Sequence, residues 1–168
     1  MPEKNYEPKR FQSDEYLAVL SDTPAEQTAY FTQTALQHMK TLAETGYPFE
    51  ICGLLLGNIT ASGWIIQEAR EVKNLNKERA ADRFQLDPLG YQNIDKSIRG
   101  TGLEIIGVFH SHPDCPARPS PTDLGSAWEG FLYPIVSVCD GKAASIHCWE
   151  PSDVSQRFHP VSYKVEAA

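Results

Sequence analysis

The 168 residues are enough for one domain with a buried core. Hydrophobic residues at 41% and charged ones at 22% match a soluble globular protein. The net charge of -7, with Lys and Arg scattered rather than clustered, argues against nucleic acid as a partner.

The start, Met1 to Arg10, is polar and carries Glu3 and Glu7, with no apolar stretch behind a basic start, so it does not read as a secretory signal. The most apolar runs, Ile51 to Gly57 and Leu103 to Phe109, are strand-length and far short of the ~20 residues of a membrane span. A cytoplasmic protein with no membrane partner is expected. Four cysteines, Cys52, Cys115, Cys139 and Cys148, form no C-x-x-C pair and read as reduced thiols.

Residues 1–22 lack clean periodicity and read as an extension that either drapes over the domain or stays mobile. The domain is expected to span 23–168. Thr23-Pro24-Ala25-Glu26 carries helix-start signals: an N-cap, a proline at the first position and an acidic residue for a capping box. Ala35, Leu36, Met39, Leu42 and Ala43 then follow helical spacing, and Gly46 ends the helix. His38 lies off that stripe and reads as a surface residue.

Pro48 to Gly57 is a continuous apolar run with glycines at Gly53 and Gly57, the pattern of a strand buried on both faces. Asn58 to Gly63 turns the chain, and Trp64 to Val72 reads as the antiparallel partner. Lys73 to Arg83 reads as a charged surface loop, and Phe84 to Leu86 as a short strand. Asp87-Pro88 opens a second helix whose buried face is Tyr91, Ile94 and Ile98, with Gly100 as its stop.

Leu103 to Phe109 is a further strand delivering His110 and His112 at its C-terminal end, and Ser120-Pro121 begins a short third helix. Tyr133 to Cys139 and Ala143 to Trp149 form a hairpin around Asp140-Gly141, a type I′ signal. With that turn Cys139 faces Lys142, and Cys148 lies near Tyr133. Val161, Tyr163 and Val165 alternate as a final edge strand. The order predicts an α/β fold: a single domain with a curved mixed sheet flanked by helices.

Side chains alternate along a strand, so His110 and His112 point to one face and Ser111 to the other. Two such imidazoles can share one ion at ~2.0–2.1 Å. The prolines at 113, 116 and 119 stiffen the loop that follows, and Asp123, on the first turn of the third helix, can return as a third ligand. Two histidines and a carboxylate leave tetrahedral zinc one position for water, whose pKa falls towards ~7. Amide hydrolysis also needs a carboxylate to carry a proton to the leaving nitrogen. Spacing does not single that carboxylate out; Glu50, at the start of a strand able to lie beside the histidine strand, is one candidate.

Taken singly, these features have plainer readings. Ser120-x-x-Asp123 is a capping box, His-x-His a polar strand end and Glu50 a strand-edge carboxylate. Together they resemble the JAMM motif of the MPN-plus metallopeptidases: His110-x-His112, seven residues, Ser120-x-x-Asp123, and an upstream Glu50 in Pro-Phe-Glu-Ile-Cys-Gly-Leu-Leu-Leu-Gly. The resemblance covers roughly residues 28 to 150. It implies one zinc ion per chain on His110, His112 and Asp123, Glu50 as general base and acid, and Ser120 as a stabiliser of the oxyanion.

By the same resemblance the enzyme is a peptidase or isopeptidase. Its substrate is the bond after the C-terminal glycine of a ubiquitin-like or sulfur-carrier protein, in deconjugation or in release of a C-terminal amino acid. Phe109 stands where the family commonly has a larger aromatic. The stretch Gly125 to Tyr133 lacks the length of the insertion used for polyubiquitin linkage selectivity.

A glycine-ended tail is thin enough to add as a strand at an exposed sheet edge. The alternative class is a non-catalytic MPN-type scaffold, whose members usually lack a ligand; here all five residues are present. Cys115 in the metal loop reads as a spectator thiol, and the residues fix no oligomeric state.

Overall fold

The computed structural model describes residues 7–81 and 83–166. The chain start discussed above therefore lies partly outside the described residues, as does Asp82 in the 73–83 loop.

Eight strands form one sheet in the order β7-β6-β5-β4-β2-β3-β1-β8. They are β1 (Thr28–Thr32), β2 (Cys52–Thr60), β3 (Gly63–Val72), β4 (Glu104–Pro113), β5 (Tyr133–Cys139), β6 (Lys142–Ser152), β7 (Arg157–Val161) and β8 (Tyr163–Glu166). Strand β1 runs parallel to β3 and β8, and β4 parallel to β5; the other pairs are antiparallel. The sheet is therefore mixed, as expected. Strands β7 and β8 occupy its two ends, yet only Ser162 separates them in the chain. The sheet must curl until its edges meet.

The central β2 explains the two-faced core. Leu55 packs on one side, with Phe31, Met39, Trp64, Ile66 and Phe109, beneath helix α2 (Gln33–Gly46). Leu54 and Leu56 pack on the other, with Val72, Ile98, Val108 and Ile135. Tyr91 and Ile94 of helix α3 (Pro88–Ser97) lean on that second cluster and are only partly buried. Gly53 is required where it stands, because a Cβ would lie 2.3 Å from the Arg70 carbonyl and 2.4 Å from the Phe109 ring.

The local signals at α3 and the β5–β6 hairpin act as read. Asp87 accepts the Leu89 N–H at 3.0 Å. Asp140 and Gly141 both have positive φ, 49° and 85°, as a type I′ turn needs. Cys139 pairs with Lys142 and Cys148 with Pro134, and all four cysteines are free.

Three expectations need correction. The first helix starts at Gln33, not at Thr23: the Ala25 N–H bonds the Pro160 carbonyl and the Ala29 N–H the Ser162 carbonyl, drawing this stretch onto the sheet as β1. Thr32 then caps α2, accepting the Ala35 N–H at 3.1 Å. The single C-terminal strand is two strands on opposite sheet edges. Phe84 to Leu86 makes only a bridge, Asn74 to Leu86, because Asn74 Oδ1 takes the Gln85 N–H at 2.9 Å.

Residues 7–22 pack on the domain. Lys9–Gln12 form a 3-10 turn and Asp14–Leu17 a single helical turn, α1. Leu20 then bridges Phe158 on β7, which puts main chain along that sheet edge.

Candidate metal centre

Strand β4 is interior to the sheet, between β2 and β5, and carries His110 and His112 near its C-terminal end. Both sit on the Val108 side, by the period-two alternation of a strand. Ser111 points the other way and is fully buried, accepting the Ile51 N–H at 2.9 Å. Its own N–H bonds the Ile51 carbonyl at 3.0 Å. This exchange sets Glu50, one residue upstream, beside the histidines.

Ser111→Ala would orphan a buried donor, which costs about 1–3 kcal/mol. At ~2–4 °C per kcal/mol for a chain of this length, we expect a thermal midpoint lower by roughly 2–12 °C. Calorimetry of metal-free protein measures it.

Four donor groups converge. His110 Nε2 and His112 Nε2 are 3.1 Å apart. Asp123 Oδ2 lies 3.5 Å from the first and 3.8 Å from the second. Glu50 Oε1 lies 3.9 Å from His112 Nε2. The edge of a tetrahedron with ~2.0–2.1 Å bonds is about 3.3 Å, so the His110–His112–Asp123 triangle has the size for one ion.

Glu50, His110 and His112 also form a compact donor group, with ligand atoms within 4.8 Å of one another. The site thus has one carboxylate more than a three-ligand zinc centre uses. Asp123 and Glu50 stand at nearly equal distances from His112 Nε2, 3.8 and 3.9 Å, and Asp123 also lies 3.5 Å from His110 Nε2.

Second contacts orient these groups. His112 Nδ1 lies 2.8 Å from the Pro116 carbonyl, which places the proton there and leaves the Nε2 lone pair facing the centre. His110 Nδ1 is buried without a hydrogen-bond partner among the described residues, and Phe84 stacks on that ring with centroids 4.5 Å apart. Helix α4 (Pro121–Gly125) opens with a full capping box. Ser120 Oγ accepts the Asp123 N–H at 3.1 Å, and Asp123 Oδ2 accepts the Ser120 N–H at 2.8 Å. Asp123 therefore caps the helix and faces the imidazoles with the same oxygen.

The 113–120 loop is held throughout its length. Tyr47 OH donates to Asp114 at 2.5 Å, Asp140 N–H donates to Asp114 at 3.0 Å, Ser137 Oγ to the Cys115 carbonyl at 2.6 Å, and Trp149 Nε1 to the Ala117 carbonyl at 3.0 Å.

Electrostatics follow from crowding. Burial works against charge on His110, but the Asp123 carboxylate and Glu50 lift its pKa above the ordinary value. Burial, then the neighbouring His110, push His112 down to about 4. Burial opposes the Asp123 charge, yet the two imidazoles and the Ser120 N–H hold its pKa well below the usual carboxylate range. Two rings this close cannot both carry a positive charge, so one pKa is raised and the other lowered. A cation between them resolves the same conflict.

All five predicted residues, Glu50, His110, His112, Ser120 and Asp123, thus meet in one place, and each is buried or nearly so. The structure adds neighbours that spacing did not disclose: Phe84 on His110, Phe11 near His112 at 6.1 Å, and Arg10 on Cys115 at 3.5 Å. Cys115 is half-buried, and burial raises its thiol pKa. His38, His147 and His159 stand outside the site among the described residues; His159 Nδ1 contacts the Thr23 carbonyl.

Two cavities adjoin the donors. One, of about 590 Å³, is lined by Phe84, Leu86, Tyr91, Val108, Trp128 and Tyr133 and reaches His110 and Asp123. The other, of about 20 Å³, lies against Glu50, His112 and Ser120. The 73–83 loop borders both, through Ala81 and Arg83.

The family model for the prokaryotic homologs of the JAB domain matches residues 32–152. A desampylase of Haloferax volcanii is 34% identical over 133 residues, covering 78% of this chain and 88% of the relative. A probable TtuB-protein conjugate cleaving protease of Thermus thermophilus is 39% identical over 44 residues, 26% of this chain and 30% of that protein. The solution structure of a protein from Desulfitobacterium hafniense superposes with a TM-score of 0.73 at 24% identity, over 84% of this chain and 94% of that one, a likeness of fold alone. With a family match over most of its length and a cluster of two histidines and two carboxylates within it, the chain belongs to the prokaryotic JAB-domain family and is a JAMM-type hydrolase.

Proposed function

We propose that this chain is a zinc peptidase or isopeptidase that hydrolyses the bond after the C-terminal glycine of a ubiquitin-like or sulfur-carrier protein. The observation that supports it most is the triangle of His110, His112 and Asp123 with a second carboxylate, Glu50, 3.9 Å from His112. The relatives, a desampylase and a probable conjugate cleaving protease, support the substrate class. Free thiols suit a reducing compartment, and the cytoplasm is the proposed location. Among the described residues no helix is long and apolar enough to cross a membrane.

In this reading His110, His112 and Asp123 hold one zinc ion. When bound, zinc supplies Lewis acidity and lowers the pKa of water at the site. Glu50 takes a proton from the attacking water and returns it to the leaving nitrogen. The cavity beside Glu50, about 20 Å³, has room for one water molecule. Ser120 Oγ spends a lone pair on the Asp123 N–H, so its hydroxyl proton remains to donate to the oxyanion.

The tail enters through the larger groove. Neither end strand of the sheet borders the site, since β4 is interior, so the tail lies along the Phe84–Leu86 side of the groove instead of extending a sheet edge. Trp128, 55% exposed at the groove, contacts the tail and not the reacting bond. Trp128→Ala is expected to raise KM roughly tenfold, on the scale of one lost aromatic contact of ~1–2 kcal/mol, with kcat within about twofold.

The founding experiment uses a Gly-Gly-ended tail peptide amide-linked to a fluorophore, and a carrier-protein fusion followed by mass spectrometry. Cleavage after the glycine, abolished by chelator and restored by zinc, is expected. Absence of cleavage on both probes with zinc bound would remove the substrate assignment.

A further inference from the structure

The family match begins at residue 32, yet one wall of the small cavity comes from well upstream of it. That wall is Arg10, Phe11 and Tyr16. The 3-10 turn Lys9–Gln12 buries one side chain, Phe11, which is 4% exposed. Its ring centre is 6.1 Å from the His112 ring and 5.1 Å from Tyr16, the latter edge-on. The guanidinium carbons of Arg10 and Arg118 lie 5.2 and 5.7 Å from the same ring centre. Arg118 also pairs with Glu7. Further along, the Phe158 N–H bonds the Val19 carbonyl at 2.7 Å and the Ser21 N–H bonds the Phe158 carbonyl at 2.9 Å, so the segment is fastened on both sides of Phe11.

We infer that residues 9–17 complete the active site, with Phe11 a positioning residue that steadies His112 and narrows the cavity beside Glu50. This rests on the zinc-hydrolase reading above. Among the described residues His112 is anchored through Nδ1 on the Pro116 carbonyl, while its Nε2 faces His110 and the carboxylates, so the face of the ring has no bond to hold it. Phe11 supplies a second contact on that ring. It also forms part of the wall of the cavity of about 20 Å³ beside Glu50, whose side chain is buried. The larger groove, where substrate enters, is not lined by Phe11. Loss of Phe11 therefore acts on metal affinity and kcat, leaving KM in place.

The full-length chain and its Phe11→Ala and Phe11→Leu variants are compared by zinc affinity, measured in competition with a chromophoric chelator. kcat and KM on the Gly-Gly fluorophore peptide, and the thermal midpoint of metal-free protein, complete the comparison. Phe11→Ala is expected to bind zinc about tenfold more weakly, the lower end for loss of a ligand-orienting contact. Its kcat should fall about tenfold with KM unchanged, and Phe11→Leu should recover most of both.

Deletion of residues 1–17 removes Phe11 together with its segment and should reproduce the alanine result if Phe11→Ala fails to fold. Wild-type zinc affinity and kcat in these variants would overturn the inference, and so would a rise in kcat, the mark of an inhibitory lid. A wild-type chain that binds zinc but cleaves neither probe sinks the substrate assignment alone, because the zinc affinities still decide the role of Phe11.

Discussion

Glu50→Gln is expected to keep about one zinc per chain and to lose turnover by roughly 10²–10⁴-fold, the range of a general acid–base group. The substitution keeps the shape of a side chain that is only 5% exposed and removes its capacity to hold a proton. The backbone around it stays tied, by the Glu50 N–H to the Ala80 carbonyl and by Ser111 to Ile51, so the histidines have no cause to move. Metal content by mass spectrometry, measured on the preparation used for kinetics, separates the two effects. Unchanged turnover would take Glu50 out of the mechanism; lost zinc would make it a ligand.

Asp123→Ala is expected to do the reverse and strip the metal. Asp123 Oδ2 lies within 3.8 Å of both imidazole Nε2 atoms, so its removal takes away one corner of the triangle. Zinc affinity should fall by more than the ~100-fold that loss of a merely supporting bond can cost. Activity should fall with it, as it should in His112→Ala and in wild-type protein treated with chelator. The variant also loses one arm of the α4 capping box, the bond from the Ser120 N–H, while Ser120 Oγ still accepts the N–H of residue 123, so metal-free Asp123→Ala should melt slightly below metal-free wild type. Because Glu50 shares a compact donor group with the two histidines, the pair of variants is needed: they assign the two carboxylates by opposite outcomes. Zinc retained in Asp123→Ala and lost in Glu50→Gln would exchange the roles.

The site was legible in the sequence because its signals are local. His110 and His112 share a face through the period-two alternation of one strand, and Ser120 and Asp123 meet within one helical turn. Glu50 is different, since its place depends on β2 pairing with β4 across more than fifty residues, and no spacing rule reports that; the family resemblance supplied it. The same limit hid β1 and the split of the C-terminal strand, whose pairings join residues near 29 to residues near 163. At Thr23-Pro24 a good local cap signal lost to backbone bonds with residues 160 and 162, a tertiary override of propensity. Phe11 carried no signal, since a lone aromatic in an irregular polar segment has no period to betray its burial.

The junction at Ser162 has a consequence for biosynthesis. Strand β8 completes the exposed side of β1, and β7 immediately before it completes the far side of β6, so two distant parts of the chain wait for the same short stretch, residues 157–166. A nascent chain released short of residue 157 would present two unpaired strand borders at once, each a template for another molecule. Ribosome-bound chains arrested before and after that stretch should therefore differ sharply in protease resistance and in their tendency to self-associate, with both borders closing in one event rather than strand by strand.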